Sequence, residues 1–213
     1  RGGPFGALEV AEMRGAAPLF SLALRQSAAS RDVKLAKAMR SVAALLTPGR
    51  LELAKVCEAW CREVQAVLGA DRCTLFLYDE PRNQLVSYVA EGVDKQLTLP
   101  LDAGVGIAAT CAKSRQSINI ESAYDDPRFN RAVDDVSGYT TRSILAMPFE
   151  SCSSGELMGV CQLLNKVPRS DGAHFDGDDE EILGSVLKLA ALAIENNQLC
   201  RDYLLLVKQM EAQ

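Results

Sequence analysis

A glycine-bearing loop that runs into a short predicted helix is the first candidate for binding chemistry in this sequence. The loop is Asp102-Ala-Gly-Val-Gly106, and the helix follows at Ile107 and Ala108. The first turn of a helix exposes backbone N–H groups and carries a partial positive charge, so it suits an anion such as a singly charged cyclic phosphate. Strand–glycine–helix turns are common, and no Gly-Lys-Ser/Thr follows. The loop is therefore not a P-loop, and by itself it does not identify a ligand.

A polar segment after residue 120 offers a second set of binding groups. It contains Pro127 and Gly138, and we interpret it as a flap made of a helix and loops. Its hydroxyl, amide and carboxylate groups suit sugar and purine edges better than catalysis. They belong to Asn130, Asp134 and the segment Ser-Gly-Tyr-Thr-Thr-Arg at 137–142.

Catalytic and metal chemistry is poorly supported by the composition. The single histidine, His174, cannot supply the several ligands of a binuclear metal phosphohydrolase, and we interpret it as a solvated loop residue. Cys57 and Cys61 are four residues apart without a matching Cys or His pair, which argues against zinc. Cys111 or Cys161 would lack a histidine partner as a nucleophile. We predict no catalytic residue, no metal and no cofactor.

A Lys–Asp pair is predicted across the loop between the last strand and the C-terminal helix. The strand ends at Asn165-Lys166, and acidic residues open the helix, where carboxylates are favoured. Lys166 and Asp179 could pair, while Asn165 and Phe175 would hold the two ends of the loop. Such a pair more often braces a structure than contacts a ligand, so we interpret these four residues as a structural brace.

The pattern Asn-Lys…Phe-x-x-x-Asp-Glu at this junction resembles the signature of the cyclic-nucleotide-binding GAF domains of phosphodiesterases and some adenylyl cyclases. Other segments are similar to the same family in the same order, and the resemblance covers about residues 50–200. These segments are Gly69–Leu77, Ala123–Asn130, Val133-Asp134 and Gly138–Pro148.

The resemblance implies a cyclic-nucleotide ligand, with cyclic AMP favoured slightly over cyclic GMP. Thr74 would contact the base, and the N–H groups of Ile107 and Ala108 would bind the phosphate. Relatives often have Phe-Asp where this chain has Ala90-Glu91, so a stacking partner is lost. The implied site residues are Thr74, Ala90, Glu91, Ile107, Ala108, Asn130, Asp134, Ser137, Tyr139, Thr141 and Gln162.

Composition excludes several other classes of protein. The net charge of −5 argues against a nucleic-acid surface. No apolar run reaches the length of a membrane span. Most of the seven cysteines lie in apolar runs, which is typical of reduced, buried thiols and predicts a cytoplasmic protein.

The element order predicts an α+β fold. A central antiparallel sheet would carry the terminal helices on one face and the flap on the other. Predicted strands are 72–78, 84–90, 95–101, 116–120, 143–149 and 157–164, with helices at 31–46, 48–68, 107–113 and 178–213. The predicted organisation is a flexible or weakly helical lead (1–30), a connecting helix (31–50), the GAF domain (51–195) and a C-terminal connecting or coiled-coil helix (196–213).

The C-terminal helix also predicts self-association. Beyond Asn196-Asn197, apolar residues repeat every three or four positions past the end of the domain core, at Leu199, Tyr203, Leu206 and Met210. Such a stripe needs another surface, which indicates a homodimer through the terminal helices.

Three hypotheses follow. The favoured one is a regulatory domain of a 3′,5′-cyclic-nucleotide phosphodiesterase, which binds cyclic nucleotide under the flap and controls a fused catalytic domain that this sequence does not contain. The alternative is a GAF dimerisation module that has lost its ligand. The third is a small cysteine enzyme.

Overall fold

The protein is described from a computed structural model. It describes residues 53–90, 97–103, 106–167 and 173–211, together with residues 32, 33, 35, 36 and 39, which are helical. The other residues of the predicted lead and of the predicted connecting helix, including its break at Pro48, lie outside the described residues.

Six strands form one antiparallel sheet, and helices pack on both of its faces. The spatial order of the strands is β3-β2-β1-β6-β5-β4. The strands are β1 (Ala70–Asp79), β2 (Gln84–Ala90), β3 (Thr98–Pro100), β4 (Ile118–Ile120), β5 (Ile144–Glu150) and β6 (Leu157–Lys166). The helices are α1 (Leu53–Leu68), α2 (Ile107–Ser114), α3 (Ala132–Ser137) and α4 (Gly177–Glu211).

The two long helices cover one face of the sheet. Trp60 on α1 and Leu183 on α4 belong to the same buried cluster as Cys73 and Leu75 of β1 and Leu163 of β6. Burial of apolar side chains on both helices and on alternate strand residues holds this layer together, because side chains on a strand alternate between its faces. The predicted position of the terminal helices is thus confirmed.

The opposite face carries α2 and the flap. Phe76 of β1 and Val160 of β6 form a second buried cluster with Ile107 and Ala108 of α2 and with Ala123 of the flap. The flap runs from Glu121 to Arg142 and contains a 3₁₀ turn at Ala123–Asp125 and helix α3. The predicted position of the flap on the face opposite the terminal helices is confirmed, and α2 lies on the same face as the flap.

Element boundaries differ from prediction where local turns shorten a strand. Strand β4 begins at Ile118, because Arg115 adopts a left-handed conformation (φ 53°) and Ser114 Oγ accepts the N–H of Gln116. Strand β3 ends at Pro100, and Leu101 opens a 3₁₀ turn. The helix predicted at 107–113 is confirmed and extends to Ser114, and α4 is continuous from Gly177 to Glu211.

Candidate functional site

The N-terminus of α2 lies beneath the flap. Gly106 precedes the helix with φ 109°, a conformation that favours glycine, and its N–H donates to the carbonyl of Arg128 in the flap at 3.0 Å. Ile107 and Ala108 are buried, and no acceptor among the described residues binds their N–H groups. Because such groups are costly to leave unpaired, this turn can accept an anion. Gly104 and Val105 of the predicted loop lie outside the described residues.

The sheet presents two polar side chains on the same side as this turn. Thr74 on β1 pairs in register with Gln162 on β6. Each lies two residues from a residue that packs against α2, Phe76 and Val160 respectively, so both are on that face of the sheet. Thr74 is buried and Gln162 is half-buried, and neither side chain has a hydrogen-bond partner among the described residues. A threonine hydroxyl and a glutamine amide that are both unpaired can each donate to or accept from a ligand.

The neighbouring strand contributes little that can be described. Ala90 is the last residue of β2 and pairs with Thr74 through its backbone. Its side chain and the whole of Glu91 lie outside the described residues. The predicted ligand contacts at these two positions stay predictions.

The Asp134 side chain connects the two ends of the flap by hydrogen bonds. Its carboxylate is 5% exposed and accepts the Thr141 N–H at 2.6 Å, the Thr141 hydroxyl at 2.8 Å and the Tyr124 hydroxyl at 3.0 Å. These donors come from the beginning and the end of the flap. The predicted ligand residues Asp134 and Thr141 thus lie together, and each uses the other as its partner.

Tyr139 is fixed at the end of the flap. Its hydroxyl donates to the Asp71 carboxylate at 2.7 Å and accepts the Asn165 amide at 2.9 Å. The Arg72 guanidinium lies 3.7 Å from the centre of the Tyr139 ring. The ring therefore joins the flap to β1 and to the end of β6.

Two other predicted flap residues are exposed and serve local turns. Asn130 Oδ1 accepts the Ala132 N–H at 3.1 Å, which supports the start of α3. Ser137 Oγ accepts the Tyr139 N–H at 3.3 Å at the end of the same helix. Both use an oxygen for the backbone, as Asn and Ser do in turns.

The Lys–Asp pair lies where the sequence predicts it. Lys166 Nζ is 2.5 Å from Asp179 Oδ2 and also donates to the Leu68 carbonyl at the end of α1, at 2.8 Å. Asp179 is 1% exposed, its Oδ2 also accepts the Asp176 N–H, and its Oδ1 has no partner among the described residues. The pair therefore joins β6 to both terminal helices, and Phe175 is buried beside it in the same core.

Asn165 connects this pair to the flap. It adopts a left-handed conformation (φ 55°) at the end of β6 and is buried. Its Oδ1 accepts the N–H groups of Arg142 and Ser143, and its Nδ2 donates to Tyr139 and to the Thr140 carbonyl. These side-chain hydrogen bonds hold the C-terminal end of the flap and the residue that follows it, Ser143.

The described residues contain no arrangement suited to nucleophilic catalysis or to metal binding. Burial raises the pKa of the Cys57 and Cys111 thiols to about 12, and burial also raises the pKa of Cys161. Neutral thiols are weak nucleophiles. No cluster of His, Cys, Asp or Glu in the described part could hold a metal ion. His174 is exposed and lies 3.7 Å from Glu121.

A cavity of about 390 Å³ opens elsewhere, at the end of the sheet near the β5–β6 turn. It is lined by Tyr78, Arg115, Leu157 and Ile194 among others, and it shares no residue with the predicted site. It therefore gives no support to the predicted ligand contacts.

Arg72 is a candidate that the sequence reasoning missed. It is half-buried and two residues before Thr74, so it lies on the same face of β1. The spacing of two residues from Thr74 on a predicted strand is the signal that could have identified Arg72 from the sequence.

The sequence matches one protein family over most of its length. The GAF domain profile matches residues 52–194. The dual 3′,5′-cyclic-AMP and -GMP phosphodiesterase 11 of Drosophila melanogaster is 33% identical over 174 residues, covering 75% of this chain and 12% of that protein. The dual phosphodiesterase 11A of Takifugu rubripes is 37% identical over 143 residues, covering 62% of this chain and 16% of that protein. The chain thus spans less than a fifth of either relative.

Solved structures share the fold at low sequence identity. The GAF domain of a phosphoenolpyruvate-protein phosphotransferase from Coxiella burnetii has a TM-score of 0.65 at 18% identity, covering 80% of this chain and 98% of that one. The free methionine-R-sulfoxide reductase of Neisseria meningitidis has a TM-score of 0.61 at 15% identity, covering 78% and 93%. These likenesses bear on the fold alone. No helix in the described part is both long and apolar enough to cross a membrane.

Proposed function

The chain belongs to the GAF domain family, and we propose that it is a regulatory domain that binds a 3′,5′-cyclic purine nucleotide between the sheet and the flap. The observation that carries the proposal is the set of unpaired groups under the flap. The N–H groups of Ile107 and Ala108 face no acceptor among the described residues, and the side chains of Thr74 and Gln162 have no partner there either. An anionic phosphate and a polar base would satisfy both sets.

The similarity to dual cyclic-AMP and cyclic-GMP phosphodiesterases supports the choice of ligand. In this proposal the parent protein is a cyclic-nucleotide phosphodiesterase, and its catalytic domain is fused outside this sequence. The slight preference for cyclic AMP expected from the sequence stays a prediction. A cytoplasmic location is also part of the proposal.

Ligand binding would reach the terminal helices through two consecutive residues. Asn165 holds the end of the flap, and Lys166 contacts Asp179 on α4 and the Leu68 carbonyl on α1. A ligand that closes the flap would hold the Asn165 side chain in one position. Because Lys166 is the next residue, its contacts with α1 and α4 would then change as well. The ligand can do so only by its difference in affinity for the open and closed states.

The terminal helices would then carry the signal to an output domain through a homodimer. Helix α4 continues as one helix to Glu211, and the core residue described nearest that end of it is Ile194. The side chains of the predicted stripe at Leu199, Tyr203, Leu206 and Met210 lie outside the described part. Light scattering of the full chain and of a chain ending at Glu195 tests this step, and we expect a dimer only for the full chain.

A ligand-free dimerisation module is the second candidate. The internal pairing of Asp134 with Thr141 favours it, because groups that serve each other need no ligand. The alanine at position 90 also removes an aromatic partner for a base.

Isothermal titration of nucleotide-stripped, folded protein with cyclic AMP and cyclic GMP separates the two candidates. The proposal expects saturable binding of at least one nucleotide. Absence of binding at millimolar concentrations would leave only the dimerisation module. Chromatography of the supernatant after heat denaturation of freshly purified protein is an independent check, since a bound nucleotide would be released.

A further inference from the structure

The cavity near the β5–β6 turn has an apolar wall that is only partly covered. Leu77 of β1 and Met158 of β6 are half-buried there, and Ile194 of α4 completes the wall. Leu77 and Met158 pack against the buried cluster that contains Ile194, so the wall is an open side of the core between the sheet and the long helices. The cavity volume of about 390 Å³ is typical of binding pockets, which hold roughly 300–1,000 Å³. Covering these side chains would remove apolar surface from water, so an apolar occupant is favoured.

The rim of the cavity is negatively charged. Glu80 and Glu156 line it and are exposed. Among the described residues the Glu80 carboxylate has no partner, and the Glu156 carboxylate accepts one serine hydroxyl of the β5–β6 turn. Arg115 also lines the cavity, but its guanidinium already pairs with Glu150 at 3.4 Å and donates to the Gly155 carbonyl at 3.0 Å. An occupant that carries a positive charge next to its apolar part would therefore be complementary to the cavity.

This chain contains one segment of that chemistry in its N-terminal lead. Residues 19–24 read Leu-Phe-Ser-Leu-Ala-Leu, and Arg25 follows directly. The arginines at 14, 25 and 31 are the only charged residues from 14 to 31, so this part of an otherwise acidic chain is basic. Residues 19–25 thus match both the apolar wall and the acidic rim.

The chain length allows this segment to reach the cavity. Leu35, which follows it in the sequence, is half-buried and packs against the same buried cluster as Leu77 and Met158. Arg25 precedes Leu35 by ten residues, and an extended chain of that length spans up to about 33–36 Å. A domain of about 150 residues has a radius of gyration of only about 15 Å. The segment can therefore lie against the cavity while Leu35 keeps its place.

We propose that residues 19–25 dock in this cavity of the same molecule, with their apolar side chains on its wall and Arg25 beside the two glutamates of its rim. Ile194 and Gln198 of α4 line the cavity, so the docked segment would contact that helix directly. The contact would connect the N-terminal lead to the C-terminal helix at a place that shares no residue with the predicted nucleotide site. This docking goes beyond the proposed function and does not depend on it.

Hydrogen exchange of the full chain, followed by mass spectrometry, tests the docking. In the wild type, the amides of residues 19–25 should exchange about tenfold or more slowly than in an unstructured peptide of the same sequence. Glu80→Lys together with Glu156→Lys reverses the charge of the rim at two exposed positions. Arg25 would then meet like charges, and the protection should fall several-fold. Arg25→Glu should lower the protection in the wild-type background and raise it in the charge-reversed background, as expected for a direct pair.

Matched variants separate docking from net charge and from folding. Glu58→Lys makes the same charge change at an exposed position of α1 outside the cavity, and Arg14→Glu makes it in the lead outside the segment. Both should leave the protection of residues 19–25 unchanged. Phe20→Ser tests the apolar contact without altering a residue of the buried clusters, and it should also lower the protection. Thermal unfolding reports the folding of every variant.

Three results would overturn the proposal. Exchange of residues 19–25 as fast as in the unstructured peptide would show that the segment is not docked. Slow exchange that the charge-reversed rim leaves unchanged would show that the segment docks elsewhere. Protection that is lost on dilution would show that a second copy of the chain supplies the contact. Titration with cyclic nucleotides tests the proposed function separately, so each can fail without the other.

Discussion

Asp179 is nearly inaccessible to solvent, and Lys166 supplies the positive charge beside it. Replacing Lys166 by methionine would leave a buried carboxylate with one oxygen unpaired and the other bonded only to a backbone N–H. Breaking a buried pair from one side costs about 3 kcal/mol, because the remaining charge is uncompensated. We expect the free energy of unfolding to fall by about that amount in urea titrations.

Lys188→Met is the matched control, because Lys188 is an exposed lysine on α4, the helix that carries Asp179. Its effect should lie within about 0.5 kcal/mol. Equal effects of the two substitutions would contradict a stabilising role for the Lys166–Asp179 pair.

The buried thiols predict how stability changes in alkali. Burial raises the pKa of Cys57 and Cys111 from the ordinary value of 9.0 to about 12. Since the folded pKa is the higher one, the stabilisation is complete below about pH 9 and is lost as the pH rises towards about 12. Urea midpoints should therefore decrease from about pH 8 to about pH 10, and Cys111→Ala should make that decrease smaller. A midpoint independent of pH in this range would contradict the burial of these thiols.

At the scale of elements, the flap depends on one carboxylate. Asp134→Ala would leave the Thr141 N–H and hydroxyl without their acceptor, at a cost of about 2 kcal/mol or more for buried donors bonded to a charged group. We expect faster hydrogen exchange from Tyr124 to Thr141 and a lower urea midpoint. The control is Asp135→Ala, which removes an exposed carboxylate next to Asp134 and should leave the exchange unchanged. Unchanged hydrogen exchange in the Asp134→Ala variant would show that the hydrogen bonds of Asp134 do not hold the flap.

The sheet contains a close approach that only glycine allows. A Cβ on Gly159 would lie 2.0 Å from the Phe76 carbonyl oxygen and 2.8 Å from the Phe149 ring, so Gly159→Ala must separate β1 from β6 or move that ring. We expect a loss of about 3 kcal/mol, as for overpacked cores.

Gly184 on α4 gives the opposite expectation. Its Cβ would meet Met147 Sδ at 3.4 Å, an ordinary contact, so Gly184→Ala should stabilise the helix by about 0.5–1 kcal/mol. Thermal unfolding of both variants should shift in opposite directions. A shift in the same direction would contradict the packing described for one of the two sites.

Elements whose pattern is local could be predicted from the sequence, and contacts between elements could not. Helix α2 was predicted because glycine precedes an apolar run, and the brace because Lys166 and Asp179 flank a single loop. The pairing of Asp134 with Thr141 depends on how the flap folds back on itself, which no periodicity encodes. Arg72 was missed because its contact with the Tyr139 ring joins two segments that are distant in sequence, and that contact is visible only in three dimensions.

At the scale of the whole molecule, the flap, the end of β6 and both terminal helices form one connected structure. The Asn165 side chain contacts three residues of the flap and Ser143, which follows it, and the next residue, Lys166, contacts α1 and α4. This connection explains how a small ligand under the flap could alter the helices that leave the domain. It requires that the ligand meet the N-terminus of α2, which is the central claim.

Titration of cyclic GMP and cyclic AMP into nucleotide-stripped wild type, Ile107→Ala and Ile107→Pro tests that claim most directly. Both variants lose the buried side chain, but only proline loses the N–H, and proline is well tolerated at the first position of a helix. We expect the wild type to bind, Ile107→Ala to bind more weakly, and Ile107→Pro to bind about tenfold more weakly than Ile107→Ala, as for the loss of a hydrogen bond to a charged group. Equal affinity of two folded variants, or a folded wild type that binds neither nucleotide, would contradict the account.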